Sequence, residues 1–164
     1  MGIELNTTHV TDDGTSQIPW LDAATRALVW DMVATLAAER SDLLAVILYG
    51  SVARRQERPL TEPDASDVDI LAVFESDDPH FLLKAGLEIS RILGQADLRH
   101  LDAPREVQVM IASRGMHEWD VTFVENVARD GLLLFARGEL PEPLRGVRPL
   151  SSISYEAASE APKP

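Results

Sequence analysis

Two aspartates in this sequence have the type and spacing to do chemistry. Asp67 and Asp69 open an apolar stretch, 67–74, that reads Asp-Val-Asp-Ile-Leu-Ala-Val-Phe. Residues i and i+2 of a strand face the same way, so the two carboxylates would lie side by side and repel each other unless a cation separates them. Mg²⁺ prefers such oxygen ligands and shares the rest of its coordination shell with waters and phosphates.

The pair Gly50-Ser51 follows another apolar stretch, 45–49, and would suit a phosphate ligand. Glycine lets the backbone approach a ligand closely, so N–H groups of this bend could bind phosphate oxygens, with the Ser51 hydroxyl as a further donor. Each motif alone is also typical of an ordinary strand start or strand-to-helix turn. Together they indicate transfer of a nucleotidyl or phosphoryl group.

In this order the motifs resemble the nucleotidyltransferase superfamily that includes DNA polymerase beta, and above all its minimal, single-domain members. The matching stretches are 48–54, Leu-Tyr-Gly-Ser-Val-Ala-Arg, and 66–71, Ser-Asp-Val-Asp-Ile-Leu. The resemblance extends over about residues 21–140. Two short motifs in the right order, each joined to an apolar strand, are more specific than either one alone.

The resemblance implies a role for each matched residue. Asp67 and Asp69 would be catalytic and hold Mg²⁺, while Gly50, Ser51 and Arg54 would bind the nucleotide, with ATP as the donor. A solvated helix face is an alternative interpretation of Arg54. The next residue is arginine where the family commonly has glycine.

The third acid of the family is where this sequence departs from the pattern. Active members supply a further carboxylate from a neighbouring strand, which can act as a base. The aligned residue in the stretch 106–110 is Gln108, which cannot do so. Glu106 lies two residues earlier on the same face, and we predict that it is the third catalytic residue. A plain charge at the edge of the sheet is the alternative interpretation of Glu106.

Hydrophobic periodicity predicts alternating helices and strands, and therefore an α/β (α+β) domain. The predicted helices are 21–39, a short turn after Ser51, 79–94 and 118–129, and the predicted strands are 43–49, 67–74, 106–112 and 132–135. The resemblance implies a nucleotidyltransferase fold, with a small mixed twisted sheet of about four strands and helices packed mainly on one side. We predict a flexible N-terminal segment over 1–18, the nucleotidyltransferase domain over 19–140 and a Pro/Ser-rich tail over 141–164.

Composition limits the partners that we expect. The 164 residues include 27 acidic and 15 basic side chains, a net charge of −12, so a long nucleic acid is not an expected partner. No apolar run is long enough to span a bilayer, and the acidic, polar N-terminus is unlike a secretory signal. With no cysteine there is no disulfide framework, and we expect a cytoplasmic protein.

The predicted function is Mg²⁺-dependent transfer of AMP from ATP to a hydroxyl of a partner protein. Minimal members of the family often act as antitoxins of helical HEPN-type ribonucleases, so the resemblance implies such a partner, or a homodimer that shares the acceptor site. Two alternatives stay open. One is a catalytically weakened domain that acts by protein binding only, and the other is a small-molecule nucleotidyltransferase.

Overall fold

The computed structural model describes residues 18–76, 78–115 and 119–150. The predicted flexible segment before residue 18 and the part of the predicted tail after residue 150 lie outside the described residues. The elements are α1 (Ala23–Glu39), β1 (Leu43–Tyr49), α2 (Gly50–Ala53), β2 (Val68–Phe74), α3 (Pro79–Arg99), β3 (Val107–Ser113), α4 (Val121–Asp130), β4 (Leu132–Ala136), a 3-10 helix (Glu142–Leu144) and β5 (Arg148–Pro149). Within the described residues, no helix is both long and apolar enough to cross a membrane.

The strands form one mixed sheet in the order β3-β2-β1-β4-β5. β1 is antiparallel to both β2 and β4, whereas β3 is parallel to β2 and β5 is parallel to β4. The prediction of a mixed α/β (α+β) fold is confirmed. The sheet has five strands where about four were predicted, because β5 is only two residues long and carries no alternation that a sequence pattern could reveal.

Residues 141–150 belong to the stretch that the sequence analysis assigned to the tail. In the structure they form the 3-10 helix and β5, and Leu144 and Val147 are buried against α4 and the sheet. This stretch therefore contributes to the hydrophobic core, although its sequence is rich in proline and has no apolar period.

The core lies on both faces of the sheet. The two longest helices, α1 and α3, pack on one face, and α4 and the 3-10 helix pack on the other. The division alternates along β2, where Ile70 and Ala72 face α1 and α3 while Leu71 and Val73 face α4. By the same alternation Asp69, the second residue of β2, lies on the face of the sheet that α4 covers.

Helix α3 begins where its capping signals predict and ends later than predicted. The carboxylate of Asp78 accepts a hydrogen bond from the backbone N–H of His80, the second residue of the helix, as expected for an N-cap. The prediction that the helix stops near Gly94 is wrong, since it continues to Arg99. Gly94 faces open space, and buried Ile92 and Ala96 on either side of it keep the helix packed on the sheet.

Candidate active site

The bend at Gly50 packs directly against the carboxylate of Asp69. β1 and β2 are paired so that Tyr49, the last residue of β1, stands opposite Asp69. The chain then turns at Gly50 with a φ of +78°, a conformation that favours glycine. A Cβ added to Gly50 would overlap the Asp69 Oδ2 atom. The structure thus brings the predicted phosphate-binding bend and a predicted metal ligand together, and both the backbone and the space require glycine.

The two aspartates influence each other electrostatically. Burial raises the pKa of Asp69, the negative charge of Asp67 raises it further, and the positive charge of Arg54 lowers it in part. Burial and the charge of Asp69 also raise the pKa of Tyr49 to about 12, so its hydroxyl keeps its proton. Two close carboxylates, one of which resists ionisation, are the kind of oxygen donor set that Mg²⁺ fits, because a divalent cation would relieve their repulsion.

The neighbouring strand β3 places an amide beside this pair. The parallel register sets Gln108 opposite Asp69, and the Gln108 Nε2 atom donates a hydrogen bond of 2.7 Å to the Asp67 Oδ2 atom. Gln108 therefore occupies the position from which a carboxylate of β3 would reach the aspartates. Its uncharged amide donates to Asp67 and, unlike a carboxylate, cannot act as a base.

Glu106 is exposed and is not grouped with the aspartates. Glu106 lines a cavity of about 400 Å³ near the end of α3, together with Asp97 and His100, and neither Asp67 nor Asp69 lines this cavity. Over 18–76, 78–115 and 119–150, no group of three or more histidine, aspartate or glutamate side chains could hold a metal ion. The catalytic role of Glu106 stays a prediction from the sequence.

Two predicted nucleotide-binding residues, Ser51 and Arg54, lie just beyond the bend. Ser51 belongs to α2 and is partly exposed. Arg54 is exposed, follows the last residue of α2 and donates from its Nε atom to Gln56. The positive charge of Arg54 lowers the pKa of Asp69, so this arginine acts electrostatically on the aspartate pair.

A buried arginine that the sequence analysis missed closes the loop before Asp67. Arg105 is 8% exposed, and its Nη1 atom donates to the carbonyl oxygens of Arg58 at 3.0 Å and Ser66 at 2.8 Å. The Ser66 hydroxyl in turn accepts from the Arg58 backbone N–H at 2.7 Å. These bonds hold residues 58 and 66 of the loop between α2 and β2 together, and they position the residue that precedes Asp67. Arg105 also forms an ion pair of 3.8 Å with Asp22. No periodicity marks Arg105, because all of these partners are distant in the sequence.

Replacing Arg105 with Met should lower the free energy of unfolding by about 3 kcal/mol, since two hydrogen bonds from a charged donor are lost and their carbonyl acceptors stay partly buried. The matched control is Arg114→Met, whose side chain forms an exposed ion pair of 3.8 Å with Glu75 and should contribute at most about 1 kcal/mol. Urea unfolding of both variants measures the difference. Equal losses would contradict the anchoring role of Arg105.

Comparison with known proteins gives similarity to solved structures only. No protein-family model matches the chain, and no curated protein matches it. Similar structures include a toxin–antitoxin with AMP-PNP, at 18% identity over 65% of this chain and 72% of that chain with a TM-score of 0.43. Another is a protein from Sulfolobus solfataricus named as a candidate nucleotidyltransferase, at 18% identity over 82% and 93% with a TM-score of 0.45.

A third similar structure holds a tri-AMPylated Shewanella oneidensis HEPN toxin in complex with an MNT antitoxin. The identity is 17% over 65% of this chain and 67% of that chain, with a TM-score of 0.38. At these identities the likeness concerns the fold alone.

Proposed function

We propose that this protein is a Mg²⁺-dependent nucleotidyltransferase that transfers AMP from ATP to a hydroxyl group of a partner protein. The single observation that carries the proposal is the packing of the Gly50 bend against Asp69, with Asp67 close enough to raise the pKa of its neighbour. A bend that exposes backbone N–H groups beside two carboxylates suits a nucleoside triphosphate and its cation. An ordinary strand-to-helix turn would not explain the two carboxylates.

Each residue of the site has a part in the proposed reaction. Asp67 and Asp69 would hold the Mg²⁺, which when bound neutralises charge on the phosphates. Gly50 lets the bend pack against Asp69, and the Ser51 hydroxyl and Arg54 guanidinium would donate to phosphate oxygens. The acceptor oxygen attacks the α-phosphorus while the bond to the oxygen that bridges the α- and β-phosphates breaks. Pyrophosphate leaves with the electron pair, and the hydroxyl proton passes to solvent.

The proposed partner is a helical HEPN-type toxin, with this protein as its antitoxin. The resemblance of the motifs to minimal nucleotidyltransferases supports this choice, and so does the net charge of −12, which would attract a basic, RNA-cutting protein. Such a partner would supply the acceptor hydroxyl.

The test of this function is transfer of label from ATP. The purified protein is incubated with α-labelled ATP, Mg²⁺ and the product of the neighbouring gene, and we expect label on that product. The variant Asp67→Asn/Asp69→Asn should transfer none. Absence of label with the wild type, or equal label with the double variant, would rule out the catalytic function.

A second candidate function, docking without catalysis, is favoured by Gln108, because an amide stands where the family has an acid. Replacing Gln108 with Glu separates the two functions. In an enzyme, a carboxylate beside Asp67 would accept the hydroxyl proton and raise the transfer rate about 10²-fold, as general bases typically do. A docking module would show no transfer as the wild type, and transfer that appears only in Gln108→Glu would identify the amide as the cause of the lost activity.

Glu106→Gln is the matched control for the Gln108→Glu variant in the same assay. If Glu106 is the base that the sequence predicts, this variant loses transfer about 10²-fold. If the hydroxyl proton goes to solvent, Glu106→Gln keeps the wild-type rate.

The outcome that would contradict a role of position 108 in proton transfer is a lower transfer rate in Gln108→Glu than in the wild type.

A further inference from the structure

Helix α3 is apolar on two opposite sides. The side that packs on the sheet carries buried residues at helical spacing, namely Ala85, Ile89, Ile92 and Ala96. On the other side Leu83, Leu87 and Leu98 are 68%, 69% and 73% exposed. At 3.6 residues per turn these leucines and Gly94 lie within an arc of about 60°, and we call these four residues the leucine face. A helix side that borders water is normally polar, so the leucine face indicates a contact surface.

Gly94 lies in the leucine face without a reason in its own fold. In the part of the chain that the structure describes, a Cβ added at Gly94 would meet no atom within 4 Å. A Cβ at Gly86 of the same helix, by contrast, would lie 3.3 Å from the Ile111 side chain. Glycine inside a helix is destabilising relative to alanine, so a glycine with free space around it is expected where another molecule packs closely.

The leucine face is complementary to a second copy of itself. Leu83 and Leu98 lie equally far from the middle of the face, beside Ser90, and so do Leu87 and Gly94. If two α3 helices pack antiparallel about a two-fold axis at this middle, Leu83 meets Leu98 of the second copy. Leu87 then meets Gly94 of the second copy and fills the space that the glycine leaves open. A two-fold interface requires such self-complementarity, because each of its contacts occurs twice.

The distribution of charge also favours a second copy at this face. The chain has a net charge of −12, so two copies repel each other over most of their surfaces. Helix α3, however, carries three basic and two acidic residues. Arg91, which borders the leucine face, forms an ion pair of 2.8 Å with Glu39 of α1. Two copies therefore repel each other least at α3, whereas a basic partner would be attracted to the acidic parts of the surface.

We propose that the leucine face is the interface of a homodimer, in which two α3 helices pack antiparallel about a two-fold axis beside Ser90. The small residues Ser90 and Gly94 let the helices approach closely, and the leucines at both ends are removed from water. Helix α3 and Asp69 lie on opposite faces of the sheet, so this interface leaves the candidate active site of each copy open. The dimer does not depend on the proposed function.

Sedimentation equilibrium of the full chain measures the association. We expect the mass of the wild type to approach twice the 18.1 kDa of one chain as its concentration rises. Leu87→Gln removes an apolar contact and Gly94→Gln fills the space that Leu87 of the second copy needs, so each should weaken association at least about tenfold. In dilute protein Gly94→Gln should unfold at a higher temperature than the wild type, because glutamine favours a helix. Val121→Gln, at a residue of α4 that is 70% exposed, is the control and should associate as the wild type does.

A single introduced cysteine reports the position of the two-fold axis, because the chain has no cysteine of its own. Ser90→Cys should form a disulfide-linked dimer under mild oxidation, since two copies of a residue beside the axis come within reach of a disulfide. Thr122→Cys, at an exposed residue of α4, is the control and should cross-link far more slowly. Equal rates of cross-linking would contradict an axis beside Ser90.

A wild type that keeps the mass of one chain at all concentrations would overturn the inference. A lower unfolding temperature of Leu87→Gln in that case would assign the leucine face to another segment of the same chain. Loss of binding to the product of the neighbouring gene would assign it to that protein instead. Equal association of Leu87→Gln, Gly94→Gln and Val121→Gln would also overturn the inference.

Discussion

Replacing Asp69 with Asn is expected to abolish nucleotide transfer and to leave the protein at least as stable as the wild type at neutral pH. Loss of the carboxylate should lower the transfer rate by at least about 10²-fold, comparable to the loss of one electrostatic group elsewhere in catalysis. Most substitutions at half-buried positions destabilise. If Asp69→Asn loses activity and gains stability, Asp69 serves the function of the protein and not its folding.

The stability effect follows from the sign of the pKa shift. The pKa of Asp69 is raised in the folded protein by burial and by Asp67. The folded state therefore binds a proton at Asp69 more tightly than the unfolded state does. This tighter binding raises the free energy of unfolding. The whole contribution is present below the ordinary pKa of 3.8, and it is lost as pH rises through the raised pKa. Above the raised pKa the ionised carboxylate is unfavourable in the folded protein, and Asn removes this penalty.

Urea unfolding of wild type and Asp69→Asn at pH 7, together with the transfer assay, measures both effects. Asp64→Asn is a matched control, since this aspartate forms an exposed ion pair with Arg58 and should change unfolding by less than about 1 kcal/mol. A variant that loses activity and stability together would contradict the account, because Asp69 would then be a structural residue.

Replacing Gly50 with Ala is expected to destabilise the fold and to abolish transfer, and Gly138→Ala provides a close control. Both glycines have nearly the same left-handed φ, +78° and +79°. A Cβ at Gly138 meets no atom within 4 Å, whereas a Cβ at Gly50 overlaps the Asp69 carboxylate. The backbone strain, roughly 1–2 kcal/mol, is common to both variants. The overlap should add about 1–3 kcal/mol for Gly50→Ala alone.

Thermal or urea unfolding of the two alanine variants isolates the contribution of the contact with Asp69. Gly50→Ala should also stop transfer, because Asp69 must move away from the bend, while Gly138→Ala should keep the wild-type rate. Equal stability of the two variants would mean that the bend and the carboxylate are not in contact.

The parts of the fold that the sequence predicts are those with local signals. The continuous apolar run of β1 predicted 43–49, which the structure confirms as Leu43–Tyr49, and Asp78 marked the start of α3. The candidate site residues also have local signals, because a glycine before a serine predicts a bend and two aspartates two positions apart on a strand predict carboxylates on one face. The structure adds that Gly50 and Asp69 touch.

The parts that the sequence does not predict depend on distant partners. Arg105 is buried where Ser66 and Arg58 offer carbonyl oxygens and Asp22 a carboxylate, and Arg148 stands beside Leu132 because the two residues of β5 pair with β4. The hydrogen bond from Gln108 to Asp67 depends on the parallel register of β2 and β3. Neither periodicity nor a short motif records such contacts.

The measurement that tests the central claim most directly is titration of the protein with a non-hydrolysable ATP analogue, with and without Mg²⁺. We predict saturable binding by the wild type that requires Mg²⁺, and an affinity at least about tenfold lower for Asp67→Asn/Asp69→Asn, since the paired carboxylates would hold the cation. Equal affinity of the two proteins, or binding by the wild type that is indifferent to Mg²⁺, would contradict a metal–nucleotide site at Gly50, Asp67 and Asp69.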